Sequence, residues 1–98
     1  MSNHAIERIF QRYGKEFTFW DIQNMIRAIR QGKCYVLDPT IEDRIIVLLH
    51  YNHLPMKLVY SPGISRKGCI VTALPLDVDE WNANLSQIPD VICERKKK

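Results

Sequence analysis

Two amphipathic helices are predicted in the first third of the chain. Within residues 2–13 four apolar side chains recur at helical spacing, namely Ile6, Ile9, Phe10 and Tyr13. Gly14, which follows them, is suited to ending the helix. A second stripe ends near Gly32 and follows Thr18, which stands three residues before Asp21 as in a capping box. Its apolar members are Ile22, Met25, Ile26 and Ile29.

The chain after Gly32 changes to strand-like patterns. Four short segments rich in β-branched and alternating apolar residues are predicted as strands: 33–37, 44–50, 54–60 and 69–74. Turns are predicted at Asp38-Pro39-Thr40 and at Tyr51-Asn52-His53, and Pro75 ends the last strand. Because the connections are short, an antiparallel meander is favoured over a parallel sheet.

These elements predict an α+β fold in which two helices bury their apolar stripes on one face of a four-stranded sheet. The other sheet face would be a binding surface unless the acidic segment 76–92 covers it. A short helix is predicted around Asp79 to Leu85, with Trp81 and Leu85 docked on the body while the neighbouring carboxylates stay in water. We therefore expect one domain over residues 1–92 and a basic, disordered tail over residues 93–98.

Composition is that of an ordinary globular protein, because hydrophobic residues make up 46% of the 98 positions and charged residues 26%. Neither a membrane-spanning run nor a secretory signal is readable, which predicts a cytoplasmic protein. Three cysteines without CxxC spacing suggest neither a disulfide framework nor a zinc site, and we interpret Cys34 and Cys69 as small core residues.

Charge divides the chain into a basic body and an acidic segment. Residues 1–75 hold ten lysines and arginines against six acids, whereas residues 76–92 hold four acids and no base. A body of this charge can attract phosphate but falls short of a dedicated duplex-DNA binder.

The first helix carries candidate chemistry on one face, since His4, Arg8 and Arg12 follow one another at intervals of four. An imidazole can move a proton near neutral pH, and guanidinium groups bind phosphate oxygens and stabilise charge at phosphorus. The alternative is a solvated helix face without a chemical role.

A longer pattern resembles a known family. It runs from His4-Ala5-x-x-Arg8-x-x-x-Arg12-Tyr13-Gly14 to Ile70-Val71-Thr72-Ala73-Leu74-Pro75, and it is similar to small phage and bacterial proteins of the BECR ribonuclease superfamily. That superfamily includes barnase, EndoU, colicin E and RelE-type toxins. The resemblance implies an αα-ββββ fold, an exposed sheet face as the site, and metal-independent cleavage of RNA. It assigns catalytic roles to His4, Arg8 and Thr72, with Arg12 as a further phosphate contact.

Several other residues have both a functional and a purely structural interpretation. Thr72 would face the open side of the sheet if Val71 faces the helices, and Lys57 would be a phosphate contact or a solubilising lysine. His50 and His53 stand three apart without a nearby cluster of ligands, so no metal site is predicted. The aromatic residues before the second helix would staple into the core or stack on bases: Phe17, Phe19 and Trp20. No cofactor motif is present.

Two functions follow from these observations. The first is an RNA-binding protein, with cleavage by attack of the 2′-hydroxyl on the adjacent phosphate, and with a cognate antitoxin or a host protein as partner. The second is a phage inhibitor that binds a host protein through its acidic segment, either alone or as a homodimer. Its contact residues would be Asp77, Asp79, Glu80 and Trp81.

Overall fold

The computed structural model describes residues 4–41, 44–62 and 68–92. The elements follow one another as α1 (His4–Tyr13), α2 (Phe19–Arg30), β1 (Tyr35–Ile41), β2 (Arg44–Tyr51), β3 (Leu54–Ser61), β4 (Cys69–Leu74), α3 (Val78–Asn84), a 3₁₀ turn (Leu85–Gln87) and β5 (Asp90–Val91). The α+β class and the helix–helix–meander order predicted from the sequence are confirmed. The predicted tail, residues 93–98, lies outside the described residues.

The two amino-terminal helices were predicted from a capping box and from their apolar stripes. The Thr18 hydroxyl accepts a hydrogen bond from the Asp21 N–H, and the Asp21 carboxylate accepts one from the Thr18 N–H, so the predicted capping box is present. In α1 the buried positions are Ala5 and Ile9, whereas Phe10 is exposed. The prediction that Phe10 belongs to the buried stripe is wrong because the buried face of α1 is narrower than the apolar spacing suggested.

The sheet is an antiparallel meander in the order β1-β2-β3-β4, with β5 added parallel to the end of β2. The β2–β3 hairpin closes through Asn52 and His53, which both have positive φ angles, at 48° and 67°. Two consecutive residues with positive φ give a two-residue turn whose backbone twist matches the right-handed twist of the flanking strands. The predicted turn is thus confirmed, with His53 in a backbone conformation that usually favours glycine.

The turn predicted at Asp38-Pro39-Thr40 is wrong, because these residues lie inside β1. Strand β1 pairs only with β2 among the described elements, and its register shifts on both sides of Asp38. Proline lacks an amide hydrogen, but an irregular edge strand tolerates that loss. The segment Asp38-Pro39-Thr40 therefore interrupts the regular pairing of an edge strand, and the strand continues beyond it.

The main core lies between the helices and one sheet face. Ile9 of α1 and Met25 of α2 pack there with alternate residues of the strands, such as Leu49 and Leu58. Leu48, which points to the opposite face of β2, is also fully buried. Because β2 is covered on both faces, its apolar residues form a continuous run and do not alternate with polar ones.

The second sheet face is covered by the carboxyl-terminal segment. Trp81 of α3 and Ile88 pack on Leu48 to form a second, smaller core. The expected open sheet face is therefore partly closed. The predicted docking of Trp81 is confirmed. The predicted docking of Leu85 is wrong, because Leu85 is exposed and Ile88 is the residue that packs beside Trp81. Within the described ranges, no helix is long and apolar enough to cross a membrane.

Candidate phosphate-binding cleft

A small cleft lies between α1 and the edge strand β4. Its volume is about 170 Å³, and Arg8, Gln11, Arg12, Thr72 and Ala73 line it. The residues come from two consecutive turns of one helix and from the middle of the strand beside it. Three residues singled out from the sequence, Arg8, Arg12 and Thr72, are therefore brought together in one cleft.

Tyr13 fixes the helix side of this cleft against the sheet. Its hydroxyl accepts a hydrogen bond from the Lys57 N–H at 2.9 Å and donates one to the Leu74 carbonyl at 2.5 Å. Burial raises the pKa of this hydroxyl, so it remains protonated and able to donate. Because Lys57 and Leu74 are paired across β3 and β4, one side chain holds the last turn of α1 to both strands.

An irregularity in β4 sets the strand side of the cleft. Thr72 pairs with Val59 and Ile70 pairs with the adjacent Tyr60, so Val71 is the extra residue of a bulge. Ile70 and Ala73 are both buried in the helix-side core although they are three residues apart. Thr72 is half-buried at the sheet edge, where it lines the cleft. Thr72 pairs with Val59, which stands between the helix-facing Leu58 and Tyr60, so Thr72 lies on the predicted sheet face, away from the helices. Because of the bulge, this position does not follow from simple alternation with Val71.

The cleft is electropositive. Arg8 and Arg12 are exposed and form no ion pair among the described residues. Gln11 and Thr72 add uncharged groups that can hydrogen-bond an oxygen atom. Two unpaired guanidinium groups beside a hydroxyl and an amide are suited to a phosphate, because they supply charge and several donors at once.

His4 stands one turn before Arg8 on α1 but does not line the cleft. Its side chain is 75% exposed, and its Nδ1 lies 3.6 Å from a Glu7 carboxylate oxygen. A substrate would meet His4 only where it extends from the cleft towards the amino end of α1. The convergence of His4 with Thr72 within about 8 Å, a span that one phosphate and a water could bridge, stays a prediction.

Lys57 does not contribute to this cleft. Its Nζ lies 3.1 Å from Oε1 of Glu80 on α3, and both side chains are largely buried. Lys57 alternates with Met56 and Leu58, which are buried on the helix side, so its side chain lies on the opposite sheet face. The prediction that Lys57 binds phosphate is corrected accordingly: the α3 segment, which covers this face, holds the lysine in an ion pair.

The acidic segment is used largely within the molecule. Asp77 caps α3 by accepting hydrogen bonds from the N–H groups of Asp79 and Glu80. Trp81 is only 7% exposed, so it packs on the sheet and is not available as a contact for a partner. Glu80 is paired with Lys57, contrary to the prediction that it stays in water. Of the four residues assigned to partner binding, Asp79 is exposed and has no salt bridge in the described part of the chain.

A histidine–carboxylate cluster was missed by the sequence reasoning. His53 Nδ1 lies 2.6 Å from Asp90, whose other oxygen accepts from the His53 N–H at 3.2 Å. His50 Nδ1 is 3.9 Å from the same carboxylate, and its ring packs edge-on against Trp81. The spacing of the histidines was visible, but nothing local to them points to an aspartate 37 residues further along. The cluster fastens β5 to the β2–β3 hairpin.

No metal site is found in the described residues, and Cys34 is a buried thiol. No group of three or more histidine, cysteine, aspartate or glutamate side chains could hold a metal ion there. Burial raises the pKa of the Cys34 thiol to about 11, which agrees with its interpretation as a core residue. Of the three aromatic residues predicted to precede the second helix, Phe19 and Trp20 are in fact its first residues and are exposed. Phe17 precedes the helix and is buried against the ring of Tyr51.

Comparisons of the chain with protein-family models, with curated proteins and with solved structures found no match. The resemblance to the BECR superfamily therefore stays a prediction, and the geometry of the cleft is the observation that bears on function.

Proposed function

We propose that this chain is a small RNA-binding protein of phage or bacterial type that acts in the cytoplasm and binds a backbone phosphate in the α1–β4 cleft. The observation that carries the proposal is the meeting of Arg8, Arg12 and Thr72 around one cleft. Neither arginine has a carboxylate partner in the described part of the chain, so both charges are available to a ligand. The phosphate backbone supplies most of the affinity of proteins that bind nucleic acid without reading duplex sequence.

The geometry favours RNA binding over the inhibitor alternative. Inhibition through the acidic segment needs carboxylates and Trp81 to be presented to a partner. Instead, Trp81 is buried, Glu80 is paired with Lys57, and Asp77 is occupied as a helix cap. Asp79 is exposed and has no salt bridge in the described residues, whereas in the cleft this is true of both arginines.

Replacing Arg8 and Arg12 together with alanine is expected to weaken binding of a single-stranded RNA oligonucleotide roughly tenfold or more, because two charge-assisted phosphate contacts are lost. The dependence of binding on salt should also fall, by about 0.7 in the logarithmic slope for each phosphate contact removed from a single strand. Fluorescence anisotropy with a labelled oligonucleotide at several salt concentrations measures both effects.

The matched control is the double variant Arg30→Ala/Arg44→Ala. It removes the same charge from exposed positions that do not line the cleft, and should weaken binding much less. Equal losses in the two double variants would show that net charge alone attracts the RNA, and would contradict a phosphate site at the cleft.

We extend the proposal to cleavage of the bound RNA by its own 2′-hydroxyl, with His4 as the group that transfers a proton. His4 is exposed and one turn from Arg8, so it can meet a strand that leaves the cleft. His4→Ala should bind RNA normally but cleave it about 10²–10⁴ times more slowly, as for the loss of a general acid or base. Because the nucleophile belongs to the substrate, cleavage should persist in EDTA and leave 2′,3′-cyclic phosphate ends, which mass spectrometry identifies. Chelator-sensitive cleavage or 5′-phosphate ends would contradict this step.

A further inference from the structure

A second cavity lies between α2 and the carboxyl-terminal strand β5, away from the α1–β4 cleft. Its volume is about 380 Å³, which is within the range of small-molecule sites. Helix α2 contributes polar groups from Asn24 and Arg27, and Gln31 and Lys33 follow the helix. The opposite wall is the segment Pro89 to Ile92, which is mainly apolar.

Asn24 is the unusual residue of this wall. Its side chain is 7% exposed, and its Nδ2 has no hydrogen-bond partner among the described residues. Its Oδ1 accepts a hydrogen bond from Arg27 Nη1 at 3.2 Å, which fixes the amide with the unpaired donor on the other side. A buried amide donor without a partner is costly, so an acceptor that reached it would stabilise the protein.

Arg27 is the side chain that holds the Asn24 amide, through its hydrogen bond to Oδ1. Its side chain is exposed, so it can turn without disturbing the core. An anion in the cavity would draw the guanidinium group away from Oδ1 and free the Asn24 amide to reorient towards the ligand. The positive charge and the unpaired donor therefore favour the same kind of ligand, one with at least two acceptor oxygens.

The charges in the cavity indicate how many negative charges the ligand carries. Arg27 and Lys33 contribute two positive charges, and Asp90 contributes one negative charge at the same cavity. Asp90 is held by His53 through its ring and its backbone N–H, so this carboxylate stays in place. A singly charged anion matches this balance, whereas a doubly charged phosphate would be repelled by Asp90.

We propose that this cavity binds a small organic carboxylate with a single negative charge and an apolar body. Its carboxylate pairs with Arg27 and Lys33 and accepts a hydrogen bond from the Asn24 amide. Its apolar part packs on Ala28 and on the wall formed by Val91 and Ile92, which gains from the removal of apolar surface from water. This binding is separate from RNA binding at the α1–β4 cleft and does not depend on it.

Titration of the full chain with hexanoate, followed by two-dimensional NMR, tests the proposal. The side-chain amide signals of Asn24 should shift and saturate with a dissociation constant of about a millimolar, as expected for a ligand of so few atoms. Arg27→Ala should weaken the binding about tenfold, whereas Arg44→Ala, an exposed arginine that does not line the cavity, should leave it unchanged. Hexanamide, which has the same shape without the charge, should not bind.

Asn24→Leu gives a second, independent readout. Removing the unpaired buried donor should raise the melting temperature of the free protein, while hexanoate binding is lost. Equal binding of hexanoate and hexanamide, unchanged affinity in Arg27→Ala, or an unshifted Asn24 amide at saturation would overturn the proposal. Tighter binding of butyl phosphate than of hexanoate would overturn the preference for a single charge.

Discussion

Replacing Trp81 with alanine is expected to lower the free energy of unfolding by about 3–5 kcal/mol, the usual cost of removing a large buried aromatic side chain. Trp81 is 7% exposed and packs with Leu48 and Ile88 on the sheet face that the amino-terminal helices leave uncovered. Its loss opens a cavity over β2 and removes the edge-on contact with the His50 ring. For a domain of this size, the melting temperature should fall by about 12 °C or more.

Leu85→Ala is the matched control, because Leu85 belongs to the same segment but is 45% exposed. We expect it to change the free energy of unfolding by less than about 1 kcal/mol. Truncation after Pro75 should act like Trp81→Ala and should also expose apolar surface that binds a hydrophobic dye. Chemical denaturation measures the first two variants. A Trp81→Ala protein as stable as Leu85→Ala would contradict the role of α3 as a cover for the sheet.

The fold was largely predictable because its signals are local. Helix α2 is specified by the Thr18–Asp21 capping box together with an apolar stripe, and the β2–β3 hairpin by a short polar turn at Asn52 and His53. Strand β1 was predicted to end early because Pro39 reads as a turn when the neighbouring strand is unknown. Whether an edge strand tolerates a proline depends on pairing, which the local sequence does not contain.

The candidate site was only partly predictable for a related reason. The spacing of Arg8 and Arg12 places both on one face of α1 before any tertiary contact is known. The bulge at Val71, however, depends on how β4 pairs with β3, and it determines where Thr72 lies. The Lys57–Glu80 ion pair depends on α3 folding back over the sheet, so a lysine at a strand position looked available when it is not.

Gly68 directly precedes β4, and its replacement is the second change with a large expected effect. Gly68→Ala is expected to lower the free energy of unfolding by about 2–5 kcal/mol through backbone strain and overpacking. Gly68 has a φ of +76°, and an added Cβ would overlap the Tyr60 hydroxyl and lie 2.8 Å from the Ser61 carbonyl oxygen. Tyr60 and Ser61 are both buried, so neither can move away without disturbing the β3–β4 pairing. Thermal or chemical denaturation measures the loss.

Gly32→Ala separates the two causes of that loss. Gly32 has nearly the same φ, +78°, but an added Cβ would meet nothing within 4 Å, so this variant measures backbone strain alone and should cost about 1 kcal/mol. Equal losses in the two variants would show that Tyr60 and Ser61 yield easily. If Tyr60 and Ser61 keep their positions, the added methyl group must displace β4 instead. Strand β4 carries Thr72 and faces Arg8 and Arg12 across the cleft. Gly68→Ala should then also weaken RNA binding at temperatures where it is still folded, whereas Gly32→Ala should not.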